Sequence, residues 1–214
     1  MHREGYAALF AFLVCAIIFT YGVWIGGGVI VQILTGIFWF LVLFTIYFFR
    51  DPERTSQAPE NNIISPADGK VIELFETEES DFFKTRVKKV GIFMSPADVH
   101  VNRAPIAGQV TYFRYQKGRF LRANLADAAT ENEQTIIGLE DGQRKLLFKQ
   151  IAGFVARRVC CDLREGHKIV RGERIGMIKF GSRVDLYLPM DVELKVQLNE
   201  RVRAGESIIG EFHL

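Results

Sequence analysis

The hydrophobic pattern divides the chain in two. From Tyr6 to Ile25 and again from Val29 to Phe49 nearly every position is apolar, and neither run contains a charged side chain. At about 1.5 Å of rise per residue, each run as a helix is long enough to cross a hydrocarbon core of roughly 30 Å. The link Gly26-Gly27-Gly28 is short enough to force an antiparallel hairpin whose two ends face the same side. A cleaved signal peptide fits poorly, because the basic region is weak and a second span follows at once.

After the polar stretch RTSQAPENN the pattern changes to short, strand-like segments punctuated by glycine and proline. KVIELFE, RVKKVGIFM, GQVTYFRY, TIIGLE, KLLFKQIAG, RVCCDL, RIGMIKF, RVDLYL, DVELKVQL and SIIGEF each alternate or form a β-rich apolar run. Helix signals are confined to short stretches around 95–100 and 121–128. The pattern predicts a mostly β, barrel-sandwich-like domain over 63–214, joined by a linker at 50–62 to a transmembrane hairpin at 1–49, with helices at about 6–25 and 29–49.

Two internal echoes sharpen this architecture. SPADGKV at 65–71 resembles APIAGQV at 104–110, and KIVRGERIGMI at 168–178 resembles ERVRAGESIIG at 200–210. Paired short strands with tight glycine turns point toward the biotinyl and lipoyl carrier type of sandwich, although neither echo carries a convincing exposed lysine. A rival reading is a non-enzymatic membrane-anchored adaptor or lipid-binding protein. Such adaptors insert a long coiled coil, and no sustained heptad pattern follows residue 50.

Charge refines the picture. Arg3 and Glu4 are the only charged side chains before Arg50. Arg3, Arg50 and Arg54 flank the hairpin's two ends, so the positive-inside rule places both termini of the hairpin and the β domain in the cytoplasm, on the inner membrane. A net charge of +2 without a basic face argues against nucleic acid. The loop YQKGRFLRAN, with Lys117, Arg119 and Arg122, reads either as a surface touching anionic lipid or as a solvated loop. Cys15, Cys160 and Cys161 have no metal-type spacing, and no metal site is expected.

Candidate chemistry is sparse. Of the four histidines, only His100 lies in a polar, proline-flanked setting away from the termini and from an exposed turn. Asp68 and Asp98 read first as turn caps. Gly181-Ser182 alone is ordinary turn punctuation, and no nucleophile elbow, P-loop or dinucleotide fingerprint occurs. An aspartate, a histidine and a serine can nevertheless form a proton relay once a fold brings them together.

Taken in order, FFRDPER, SPADGKV, MSPADVHVNRAP, GRFLRANLADAATENEQ, IAGFVARRV and GERIGMIKFGSRVDLYLP resemble the phosphatidylserine decarboxylases, in their short two-helix bacterial and archaeal form. The resemblance covers about residues 47–214. It implies a zymogen that cleaves itself between Gly181 and Ser182, leaving a β chain (1–181) and an α chain that begins with a pyruvoyl group made from Ser182. The Ser182 hydroxyl attacks the Gly181 carbonyl in an N to O acyl shift. Elimination then splits the ester to dehydroalanine, and loss of ammonia gives the ketone. That ketone forms a Schiff base with the serine amine of the lipid and accepts the electrons left by carbon dioxide, yielding phosphatidylethanolamine.

The resemblance also implies site roles. Asp68 matches the aspartate that works with histidine to activate the serine, and His100 matches the first histidine of the longer form's HRVH region. The second histidine is replaced by Arg103, so either His100 serves both steps or Asp68 and another group activate Ser182. Arg103 is a candidate for binding the lipid phosphate or carboxylate. The implied partners are a phospholipid substrate, the membrane and the two cleaved chains as a heterodimer; homo-oligomerisation is left open.

Overall fold

The computed structural model describes residues 1–119, 131–153, 159–179 and 182–213. They form two compact units, Met1–Pro52 and Glu53–Leu214. In the first, a short 3-10 turn (Arg3–Gly5) leads into α1 (Tyr6–Trp24) and α2 (Val29–Phe48). Both helices are long and apolar enough to cross a membrane. Phe10, Ile18, Trp24, Ile30 and Phe40 face outward, the reverse of a water-soluble hairpin. The threonines are satisfied internally: the hydroxyls of Thr20, Thr35 and Thr45 donate to carbonyls four residues earlier, and Trp39 Nε1 donates to Thr20 Oγ1. At the turn, a Cβ on Gly27 would lie 2.6 Å from the Gly22 carbonyl oxygen, so close approach there requires glycine.

The second unit is mostly β, as the alternation predicts. Its strands begin with β1 (Asn62–Ile64), β2 (Gly69–Glu79), β3 (Thr85–Met94), β4 (Val101–Arg103) and β5 (Gly108–Gln116). They continue with β6 (Gln134–Glu140), β7 (Lys145–Ile151), β8 (Val159–Cys161), β9 (Lys168–Ile169) and β10 (Arg174–Ile178). The last are β11 (Ser182–Leu188), β12 (Glu193–Leu194), β13 (Arg201–Val202) and β14 (Ile208–Glu211). An eight-stranded sheet, ordered β13-β2-β3-β11-β7-β6-β5-β9, curls around the core, and two three-stranded sheets, β1-β14-β12 and β4-β10-β8, complete it. Within DVELKVQL only β12 is a strand, and residues 95–100 form a turn; the helix signal at 121–128 lies outside the described residues.

Read from its two ends, the strand order reveals an internal duplication. Strands β1, β2, β3, β11, β12, β13 and β14 form one repeat; β4 to β10 in order form the other, inserted between β3 and β11. The sequence echoes are its trace. Gly69 and Gly108 open the equivalent strands β2 and β5 at φ 157° and 158°, and each strand then shifts register, at 71/73 and 110/112. Gly172 and Gly205 occupy the matching turns at φ 82° and 78°. In the second repeat β6 and β7 are joined by a tight hairpin closed where Asp141 N–H donates to the Arg144 carbonyl. In the first, Met94 and Ser182 are paired in that place, and the whole second repeat intervenes between them in sequence.

The core lies inside the curl. Alternation sends Val184, Leu186 and Leu188 of β11 inward beside Val90, Ile92 and Met94 of β3 and Leu146 and Phe148 of β7. Every residue of β11 is buried, because it is a central strand covered on both faces. The stretch before β1 is held to this unit by arginines: Arg171 donates to the carbonyls of Ala58 and Pro59, and to that of Asn62 at the start of β1, and Arg144 donates to that of Glu60.

Candidate functional site

Three segments that are distant in sequence meet at one end of the eight-stranded sheet. Ser182 is the first residue of β11, fully buried, with its hydroxyl donating to the Ile178 carbonyl at 3.3 Å. The Ile178 N–H in turn donates to the His100 carbonyl, also at 3.3 Å. The backbone at Ile178, the end of β10, thus links the histidine segment to the serine. Pro66 supplies the third contact: its carbonyl accepts from Arg103 N–H at 2.9 Å and from Asn102 Nδ2 at 3.4 Å, bringing the Asp68 turn against β4.

His100 is fully buried, and its Nδ1 lies 2.9 Å from the Asp98 carbonyl oxygen. A carbonyl can only accept, so Nδ1 carries the hydrogen, and in the neutral form of the ring the lone pair is on Nε2. A buried imidazole fixed in this tautomer is suited to take a proton at Nε2.

The Asp68 carboxylate is clasped by Arg54. Nη1 and Nη2 of Arg54 donate to the two carboxylate oxygens, the second at 2.9 Å, and Ala204 N–H donates to Oδ1 at 2.8 Å. Asp68 precedes β2, which β3 separates from β11; at about 4.8 Å per strand its backbone lies roughly 10 Å from that of Ser182. Arg103 is 4 % exposed, and its Nη1 donates to the Gly172 carbonyl at 2.9 Å. Gly181 lies outside the described residues, as does Arg122; Arg119 is exposed and paired with Glu131.

Behind the serine runs a buried polar chain that the sequence reading passed over. Thr135 Oγ1 donates to Gln150 Oε1 at 2.8 Å, Gln150 Nε2 donates to Asn102 Oδ1 at 2.9 Å, and Asn102 Nδ2 also reaches Met94 Sδ at 3.8 Å. Its signal was available: Gln150 continues the inward parity of Leu146 and Phe148, where an apolar residue is expected. Burial pushes the nearby Cys161 thiol up to about 11, so it is protonated at neutral pH, in keeping with a structural cysteine. No metal-binding cluster occurs among the described residues.

The phosphatidylserine decarboxylase family model matches residues 41–210, most of the chain. The chain belongs to the phosphatidylserine decarboxylase family. Its relatives include a phosphatidylserine decarboxylase proenzyme of Magnetococcus marinus, 44 % identical over 97 % of this chain and 93 % of that one. Others are the proenzymes of Desulfotalea psychrophila, 46 % identical over 84 % and 85 %, and Cytophaga hutchinsonii, 39 % identical over 100 % and 99 %. Membership in the decarboxylase family sets aside the adaptor reading, and the word proenzyme in these names describes chains made as precursors.

Proposed function

We propose that this protein is a membrane-anchored, self-processing phosphatidylserine decarboxylase, which converts phosphatidylserine to phosphatidylethanolamine and carbon dioxide after cleaving itself at Gly181-Ser182. The carrying observation, beside family membership, is Ser182 itself: a fully buried serine opening a central strand, where the other repeat has only a hairpin turn. In this reading residues 1–49 anchor the chain, 50–62 connect, and 63–214 form the catalytic domain on the cytoplasmic side of the inner membrane, the orientation favoured by Arg3, Arg50 and Arg54.

Each residue has a role in this reading. His100 Nε2 receives the Ser182 proton as the hydroxyl oxygen bonds to the Gly181 carbonyl carbon, and the proton passes on to the peptide nitrogen as its bond to that carbon breaks and it becomes an amine. Asp68, oriented by Arg54 and Ala204 N–H, holds its carboxylate beside the histidine segment. Arg103 offers a buried guanidinium to the anionic head group. The surroundings of Ser182 suit a pyruvoyl group: β11 is hydrogen-bonded to β3 on one edge and β7 on the other, so its first residue is retained in a dry site when the bond before it is cut. Once formed, that ketone supplies an electron sink for the loss of carbon dioxide from an amino-acid head group.

Denaturing mass spectrometry of the full chain, expressed in membranes, tests the reading. The 24.4 kDa polypeptide is expected to split between residues 181 and 182, and Ser182→Ala to remain whole and inactive on phosphatidylserine vesicles. A wild-type chain that stays intact overturns the proposal.

A further inference from the structure

The face of β11 opposite the core carries a charge cluster that the chemistry above leaves unused. Alternation sends Ser182, Val184 and Leu186 toward the core and Arg183 and Asp185 to the other side of the sheet. Arg183 is nevertheless fully buried. Its Nε and Nη2 donate to the two oxygens of Asp185, and Nη2 also donates to Glu73 Oε2. Lys89 Nζ joins the same carboxylates, 2.9 Å from Glu73 and 3.2 Å from Asp185. Two cations and two anions therefore meet across β2, β3 and β11, with Lys149 of β7 beside Asp185.

Glu73 and Arg183 stand on strands that β3 separates, roughly 10 Å apart at the backbone. The guanidinium reaches over β3 because Gly91 lies in its path. A Cβ there would sit 2.9 Å from Arg183 Nη2 and 3.2 Å from Asp185 Oδ1.

The other repeat shows that the fold itself does not need charge at this place. Gly138 is the counterpart of Gly91, flanked by Tyr112 and Leu147 as Gly91 is by Glu73 and Asp185. There the Phe82 ring lies over the glycine, 2.6 Å from where a Cβ would be, within an apolar cluster. Exchanging a buried ion pair for well-packed apolar groups is commonly neutral or stabilising. Arg183 Nη1 is moreover buried with no acceptor among the described residues, a cost with no return in stability.

We propose that Arg183 is a positioning residue. With Asp185 and Glu73 it fixes the start of β11, so that Ser182, and the group it becomes, keeps its place after the bond to Gly181 is broken. This rests on the self-cleavage reading. Cleavage turns Ser182 from a mid-chain residue into a chain end, and strand ends fray most readily. Glu73 and Lys89 stay on the longer chain, while Arg183 and Asp185 go with the shorter one, so the cluster ties the two pieces together one residue from the break.

The test uses the full chain in detergent or vesicles and three variants. Arg183→Met with Asp185→Leu removes one charge of each sign and leaves Lys89 to pair with Glu73. Gly91→Ala keeps every charge but displaces the guanidinium, and Arg183→Lys keeps the charge but loses the planar fork. Chain splitting is followed by denaturing mass spectrometry, the terminal carbonyl is titrated with a hydrazide, and kcat per titrated carbonyl is measured beside KM. The first two variants are expected to lose about tenfold to a hundredfold in kcat per carbonyl, as a misplacement near 1 Å costs, with KM unchanged and Arg183→Lys intermediate. A kcat per carbonyl equal to wild type, even with a lower yield of split chain, makes the cluster merely structural and overturns the proposal. If the double variant does not fold, Gly91→Ala decides the case on the same readout. A wild-type chain that never splits leaves no carbonyl to titrate, which distinguishes failure of the self-cleavage reading, and this proposal falls with it.

Discussion

Two aspartates in identical Ser-Pro-Ala-Asp turns are each clasped by an arginine: Asp68 by Arg54 from the segment before β1, and Asp98 by Arg201 from far along the chain. Asp98 also caps its own turn, accepting from Ser95 N–H at 2.8 Å and Ser95 Oγ at 2.7 Å, while its carbonyl orients His100. Asp68 is the more consequential, because it and Arg54 are both nearly buried. Removing one partner of such a pair strands a charge, so Arg54→Met is expected to cost about 3–5 kcal/mol, read as a lower urea midpoint by circular dichroism. His100→Ala separates the two chemical steps: a chain that still splits but releases no carbon dioxide confines His100 to decarboxylation, and one that does neither assigns it to both. Glu73 sets an acid limit on stability. Burial pushes its carboxyl upward, but hydrogen bonds from Arg183 and Lys89 and their charges outweigh this, so its pKa lies below the ordinary 4.5. A depressed folded-state pKa contributes stability above 4.5 that is lost as pH falls through the folded value. Urea midpoints measured from pH 6 downward should therefore fall below about pH 4.5, and less steeply in Glu73→Gln.

At the scale of elements, the duplication makes one repeat a control for the other. Gly69 and Gly108 start equivalent strands with the same backbone conformation, and a Cβ at either would meet a carbonyl oxygen of the partner strand, Phe93 at 2.2 Å or Glu140 at 2.7 Å. Gly69→Ala and Gly108→Ala are both expected to lower the urea midpoint. Only Gly69→Ala is expected to slow chain splitting as well, because Phe93 precedes Met94, the residue paired with Ser182. Equal splitting rates in the two variants would show that this end of β2 and β3 has no part in placing the serine. The strands themselves were legible wherever alternation was long, as in β2, β3, β5 and β11. The two- and three-residue strands β1, β4, β9 and β13 carry too few positions to show a period, and their pairing depends on partners far away in sequence.

For the whole molecule, cleavage at residue 181 would leave the first repeat divided between two chains. The shorter chain holds β11 to β14, which pair with β3, β7, β2 and β1 of the longer one. Such a joint rests on ladder hydrogen bonds, buried apolar surface and the buried charge cluster around Arg183, all of which salt screens little even where the Debye length is about 3 Å at 1 M. The two chains are therefore expected to co-elute in detergent at that salt concentration and to separate only in denaturant. The sequence by itself determined the apolar hairpin, the mostly β domain, the echoes and the family resemblance with its residues Asp68, His100, Arg103, Gly181 and Ser182. These are matters of period, composition and local order, all of which are written along the chain. The tertiary structure decided that the echoes are two interlocked repeats and that Ser182 stands where a hairpin would close. It also decided that Arg54 holds Asp68 and that Arg183 crosses β3 above Gly91. Those facts depend on which strands lie side by side, and strand neighbours are chosen by the burial of one shared core, which no local stretch of sequence specifies.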